Sequence, residues 1–232
     1  MFRLFIFFIA AFSSLLSFET TNLQLLYSNN FKGDAFIYDT VDGEKTTLTF
    51  EHYRTFEYGD FFMFVDAMEG ERFDGVKSSL YSEFSPRFSL SKISNSDLTL
   101  GIFKDFYLAS QFNVGDAYRA YLVGLGTDIV LSGFKFINLN LYHKSENIQT
   151  QDTWQITTAY ETQSFWNLHL SGFMDVTSRD INTQNQLLYD LAQLFGSKEE
   201  LYGGVEWLFY EYKYEAREYK TSLLQAMIKY KF

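Results

Sequence analysis

Residues 222–232 read SLLQAMIKYKF, and their alternation decides the fold. Leu224, Ala226, Ile228, Tyr230 and Phe232 occupy the even positions, while Gln225, Lys229 and Lys231 fall between them, with Met227 as the one exception. Successive side chains of a strand point to opposite faces, so a period of two gives one greasy face and one wet face. The same pattern recurs upstream. Ile137, Leu139 and Leu141 alternate with Asn138, Asn140 and Tyr142; Trp166, Leu168, Leu170, Met174 and Val176 alternate with Asn167, His169, Ser171 and Asp175.

Counting outward from these segments gives about twelve strands, near 22–29, 46–58, 60–68, 81–91, 97–111, 117–131, 134–145, 152–163, 165–178, 185–193, 201–213 and 220–232. An even number suits an all-β, transmembrane antiparallel barrel with both termini on the periplasmic side. If the first strand runs outward, the external connections carry the charged stretches at 39–45, 69–75, 144–152, 178–184 and 214–220. The internal ones then include tight turns at Gly59-Asp60, Ser132-Gly133 and Gln163-Ser164. Connections near 92–97 and 194–199, and a short one near 112–116, depart from this division into long external loops and short internal turns.

Composition supports a membrane barrel. Aromatic residues make up 20% of the chain, with 17 Tyr and 26 Phe, more than a soluble core of this size accommodates. A lipid-facing surface with interfacial girdles takes such a surplus. The competing fold, a soluble sandwich or lipocalin-like barrel, turns its apolar face inward instead. Pro86 is the single proline, as continuous ladders require. The net charge of -10 disfavours a nucleic-acid partner, which needs a basic surface to displace counterions. With no cysteine, disulfides, thiolate metal sites and cysteine nucleophiles are excluded. Residues 1–17, with Arg3 ahead of an apolar run from Leu4 to Leu16, read as a signal peptide, leaving 18–232 as the barrel. The run is shorter than a spanning helix needs, so the chain is expected in the outer membrane of a Gram-negative cell.

Segments spread over most of the remaining chain resemble the Tsx-like family (Tsx/OmpK type) of nucleoside-specific channel-forming outer-membrane proteins. They include NLQLLY (22–27), LTFEHYRTFEYGDFFMFVD (48–66), YSEFSPRFSL (81–90), KDFYLASQ (104–111), YLVGLGTDI (121–129), GFKFINLNLY (133–142), SGFMDVTS (171–178), QLLYDL (186–191), LYGGVEW (201–207) and MIKYKF (227–232). The resemblance implies a twelve-stranded monomeric barrel with a narrow lumen, passing nucleosides or similar small solutes by diffusion. It also implies, for some members, use as a phage or colicin receptor. A structural or receptor barrel without selective transport is the alternative function.

A channel needs no catalytic constellation and no cofactor; it needs a lumen that replaces part of a solute's hydration. The inward face of the inferred register offers Glu51, Tyr53, Phe62, Phe64, Asp66, Glu83, Arg87, Asp105, Asp128, Asp175, Asp190 and Glu206 as pore-lining or substrate-binding groups. Aromatic faces stack a base while carboxylates accept from ribose hydroxyls. Bland readings compete: Glu83 pairs with Arg87 simply to satisfy the interior, and Phe62 and Phe64 only fill space. Ser171, His169 and Asp175 do not make a hydrolase, because neighbours on one strand do not converge as a triad does. The acidic stretch near 40–44 lacks the ligand spacing of a calcium loop. The expected partners are outer-membrane lipid, a nucleoside-like solute, and the barrel-assembly machinery through Phe232.

Overall fold

The computed structural model describes residues 18–31, 43–70, 78–192, 196, 200–214 and 217–232. The segment read as a signal peptide lies outside them, as do residues 39–42 and 71–75 of the first two external connections. The strands are β1 (Glu19–Phe31), β2 (Gly43–Phe56), β3 (Gly59–Gly70), β4 (Ser78–Ser89), β5 (Phe103–Gly115), β6 (Arg119–Ile129), β7 (Phe134–Glu146), β8 (Thr153–Thr162), β9 (Leu168–Thr177), β10 (Asp180–Asp190), β11 (Glu200–Tyr214) and β12 (Arg217–Lys231), with a short helix α1 (Leu90–Ser94) after β4. Each strand pairs antiparallel with its sequence neighbours, and β1 closes onto β12. Closure removes the edges, so every spanning strand has a ladder partner on both sides, as lipid demands.

The barrel is inside out. Gln24, Gln111, Asn113, Gln155 and Gln225 are buried in the interior, whereas Leu125 and Leu224 are each 64% exposed on the outer surface. Registered pairs carry an unbroken apolar row around part of that surface, from Leu108 through Leu125, Leu141, Ile156 and Val176 to Ile181. Only lipid makes such a surface favourable. Rings flank it toward the two ends, with Tyr27, Tyr121 and Trp154 on one side and Phe88 and Phe165 on the other.

The strands span 10 to 15 residues, more than the roughly 9–11 that cross a bilayer, so they project beyond it. The projection shortens two expected external connections. Residues 180–184 belong to β10 and 217–220 to β12, leaving Ser178 and Arg179 as the link between β9 and β10. Asn182 and Gln184 look like loop residues in sequence, but they lie on the inward face and their backbone stays in the ladder.

At the end bearing the termini, the turn between β2 and β3 is Glu57 and Tyr58 rather than Gly59-Asp60. Gly59 is already paired in β3, where a Cβ would fall 1.9 Å from the Arg87 carbonyl oxygen. The connection after β4, expected to be mid-length, is the longest described one. Ser89 caps α1 by accepting from the Lys92 N–H, Asn95 ends it in the left-handed conformation, and β5 begins only at Phe103.

Candidate functional site

Every residue singled out from the sequence lies on the inward face, because the register shifts fall near strand ends, at Phe31, Phe103 and Phe134, and leave the alternation of the spanning stretches intact. They do not form one site. Glu51, Phe62, Phe64, Asp66 and Glu206 line a small open cavity of about 90 Å³, set against β1–β3 and β9–β12. Tyr53 sits opposite Phe62, one step nearer the terminal end.

The cavity is bounded by a connected polar network. Asn22 Nδ2 donates to Glu51 Oε2 at 2.9 Å, Lys229 Nζ approaches the same oxygen at 3.4 Å, and Thr49 Oγ1 donates to Asp66 Oδ1 at 2.6 Å. Glu206 accepts from Gln225 at 2.9 Å and Gln186 at 3.0 Å, and Gln186 also reaches Gln24 of β1 at 2.9 Å. Carboxylates held by amides and hydroxyls keep acceptor capacity for a solute's hydroxyls. Phe173, Met68 and Leu208 supply apolar surface beside them.

The opposite wall is filled. Ala109, Ala120, Leu122 and Tyr142 form a buried cluster on β5–β7. Gly124, registered between Ala109 and Tyr142, has no room for a side chain, since a Cβ would lie 1.9 Å from the Leu141 carbonyl oxygen.

Aromatic rings form a track from the cavity to the filled wall, where Tyr118 packs against the buried cluster. Phe62 and Phe64 have centroids 6.0 Å apart, Phe64 and Tyr81 5.9 Å, and Tyr81 stacks on Tyr118 at 6.3 Å. The track runs from the cavity to the connection between β5 and β6, at the end opposite the termini. Tyr118 donates to Glu146 Oε2 at 3.0 Å at that mouth. Glu146 also receives Arg179 Nη1 at 2.7 Å.

Arg87 corrects the sequence expectation. It does not pair with Glu83, because four residues along a strand separate the two by roughly 13 Å. Its partner is Asp60, directly across the ladder: Nε donates to Oδ1 at 2.8 Å and Nη2 to Oδ2 at 2.7 Å. Nη1 reaches past β5 to Asp128 on β6 at 2.9 Å, and the guanidinium lies 4.2 Å over the Tyr107 ring. Glu83 instead accepts from Tyr81 at 2.6 Å, Gln111 at 2.8 Å and Asn113 at 3.1 Å.

Asp105 and Asp190 serve the connections. Asp105 accepts from Ser89 Oγ at 2.5 Å and the Ser91 N–H at 3.2 Å, tying α1 to β5; Asp190 accepts from the Ala192 N–H at 3.0 Å. Asp175 accepts from Thr157 at 2.6 Å, two residues before the end of β9. Sequence reasoning missed Asp60, which was read as a turn, and Lys45, Thr47, Gln184 and Gln186, whose alternate spacing was the available signal.

A closed, polar-lined barrel with an apolar belt is the architecture of an outer-membrane protein with a water-accessible lumen. The family profile described as "Nucleoside-specific channel-forming protein, Tsx" matches residues 21–187, and the chain belongs to this family. The chain is 31% identical over 112 residues to the nucleoside-specific channel-forming protein Tsx of Klebsiella aerogenes, covering 41% of this chain and 38% of that protein. It is 29% identical over 85 residues to the outer membrane protein OmpK of Vibrio parahaemolyticus, covering 35% and 32%. The matched stretches thus span less than two fifths of these relatives. Among solved structures, a KdgM porin covers 93% of this chain and 99% of its own, with a TM-score of 0.52 at 12% identity, a likeness of fold alone. The barrel therefore resides in the outer membrane.

Proposed function

We propose that this barrel is a passive channel for nucleosides or similar small solutes, acting as a monomer after removal of residues 1–17. The aromatic track from Phe62 to Tyr118, with the carboxylates of Asp66, Glu83 and Glu146 beside it, carries the reading. A nucleoside has an aromatic base and a hydroxylated sugar, matching both surfaces. Nothing in this route calls for bond-breaking chemistry. Stacking worth about 1–3 kcal/mol per base separates a nucleoside from a sugar of similar size. In proteoliposome flux assays, adenosine is expected to outrun a matched disaccharide. Phe64→Ala lowers that preference by about tenfold. Asp66→Asn lowers it while leaving the barrel folded. Equal flux for both solutes, unchanged in the variants, would leave a non-selective pore. Absence of any flux would support the receptor or structural barrel.

Assembly is proposed to use the C-terminal aromatic signal. Phe232 packs on Tyr230 at 5.8 Å, and its N–H donates to the Thr21 carbonyl at 3.1 Å, beside the seam. Deleting Phe232 is expected to reduce heat-modifiable barrel in the outer membrane severalfold. A soluble domain would hardly register the loss of its last residue.

A further inference from the structure

We infer that the barrel wall has a lateral port at the seam of β1 and β12, through which a single-chain amphiphile passes between the surrounding lipid and the lumen. Closure rests on six registered pairs, from Asn22 with Lys231 to Tyr27 with Ala226. Beyond Tyr27, toward the end opposite the termini, the two strands are not paired with each other among the described residues. There β1 runs on to Phe31 along β2, and Arg217–Gln225 of β12 has registered partners on β11 alone. The cause is local. From Ser28 to Phe31 the chain takes three steps while β2 takes two, from Lys45 to Gly43, which makes a bulge at Asn29 and Asn30. The Asn30 N–H turns back to Ser28 Oγ at 3.3 Å. A bulge bends and twists its strand, and here it carries β1 away from β12.

The parted strands hold a cleft of about 580 Å³, lined by Asn29 and Asn30 of β1, Trp207 of β11, and Ser222, Leu223 and Leu224 of β12. Outside, it is continuous with the lipid-facing surface, where Trp207 is 41% exposed and Leu224 64%. Inside, it stops at Leu223, which is registered opposite Leu208 and shares one buried cluster with it, Phe31, Tyr210 and Tyr212. Leu208 also lines the lumenal cavity described above. A single cluster of side chains therefore separates the cleft from the cavity.

That partition sets the class of ligand. A hydrated solute gives up its water against Phe31, Leu208 and Leu223 with no hydrogen bond in return, whereas a hydrocarbon chain has none to give up. Trp207 and Leu224 offer the chain an apolar bed. The carboxamides of Asn29 and Asn30, with Ser222 Oγ, which accepts from Trp207 Nε1 at 3.0 Å, offer donors and acceptors to a small polar head. The ligand is thus an aliphatic chain with a neutral, hydroxyl-like head.

The port stands apart from the nucleoside reading, because it needs the seam and not the aromatic track. The chain has no cysteine, so an N29C/L224C pair can close the seam, by oxidation or, where the thiols stand too far apart, by a short bis-methanethiosulfonate. The probe is dodecanol carrying a photoreactive diazirine, added to the full barrel in lipid vesicles, with adducts mapped by mass spectrometry. In the unmodified barrel, adducts are expected on Phe31, Leu208 and Leu223 as well as on the lipid-facing Leu125. With the seam closed, the first three should be lost while Leu125 stays labelled, and thiol release should restore them. Heat-modifiable mobility checks that the variant folds. Labelling of Leu125 without the inner cluster in the unmodified barrel, or inner adducts that persist in a closed and folded one, would overturn the port. Adenosine flux is read on the same vesicles. If adenosine never crosses while the closure-sensitive adducts appear, the nucleoside reading fails and the port stands.

Discussion

Replacing Arg87 with alanine is expected to destabilise the folded barrel by about 3–5 kcal/mol, the cost of leaving buried charges without their partner. Asp60 loses both arms of a bidentate pair, and Asp128 loses its cation while keeping Tyr107 at 2.6 Å and Asn138 at 2.6 Å. The guanidinium side chain is 7% exposed and the Asp60 side chain 8%, so water replaces little of what is lost. Denaturant unfolding in detergent or lipid, followed by tryptophan fluorescence, reads the change. Arg87→Lys should recover only part of it, because an ammonium cannot fork across one carboxylate while reaching a second. Combining Arg87→Met with Asp60→Asn and Asp128→Asn should recover more than the lysine, since no charge then remains to be paired. A stability of Arg87→Ala equal to that of the unmodified barrel would mean that the clamp is fully hydrated and holds nothing.

The same clamp shows where sequence reading succeeds and where it stops. Period-two alternation depends on each side chain's chemistry alone, so it placed Glu51, Asp66, Glu83 and Glu206 on the inward face without knowledge of neighbours. Pairing depends on register between strands. Gly59-Asp60 carries a strong turn signal, and only the ladder with β4 shows that Asp60 stands opposite Arg87. Glu83, four residues away, is the nearest acid to Arg87 in sequence, whereas Asp60, 27 residues away, becomes its neighbour only through the ladder.

Polarity misleads in a second way. In a soluble protein a run such as Asn182, Thr183, Gln184 and Asn185 marks a loop, because polar side chains seek water outside. Here the water-accessible side is the interior, so polar residues at alternate positions extend a strand. Asn182 and Gln184 face inward, while Thr183 turns its hydroxyl back onto the Phe173 carbonyl at 2.6 Å and Asn185 accepts from Tyr160. What composition could not convey is the asymmetry of the lumen. The filled wall depends on Gly124, Ala109 and Tyr142 meeting in register across three strands, although they are far apart in sequence. The open space lies toward β1–β3 and β9–β12, where Phe62 and Phe64 meet the carboxylates of Glu51, Asp66 and Glu206.

Leu125→Arg tests the membrane assignment through the outer surface alone. Leu125 lies near the middle of β6, flanked in register by Leu108 and Leu141, with its side chain pointing away from the lumen. In a bilayer, an arginine at mid-depth of the lipid face costs about 2–4 kcal/mol. Tyr121 lies on the same strand and the same face, toward the end away from the termini, and is 61% exposed. Arginine there should cost only about 0–1 kcal/mol, because the side chain reaches the interface. The depth dependence is the informative quantity. On a water-exposed surface both substitutions stay within about 0.5 kcal/mol of neutral, whatever their position along the strand. Unfolding of the two variants in lipid vesicles gives the comparison directly. A clear loss for Leu125→Arg beside a small one for Tyr121→Arg fixes the apolar belt at bilayer depth, and equal small effects would place this face of the barrel in water.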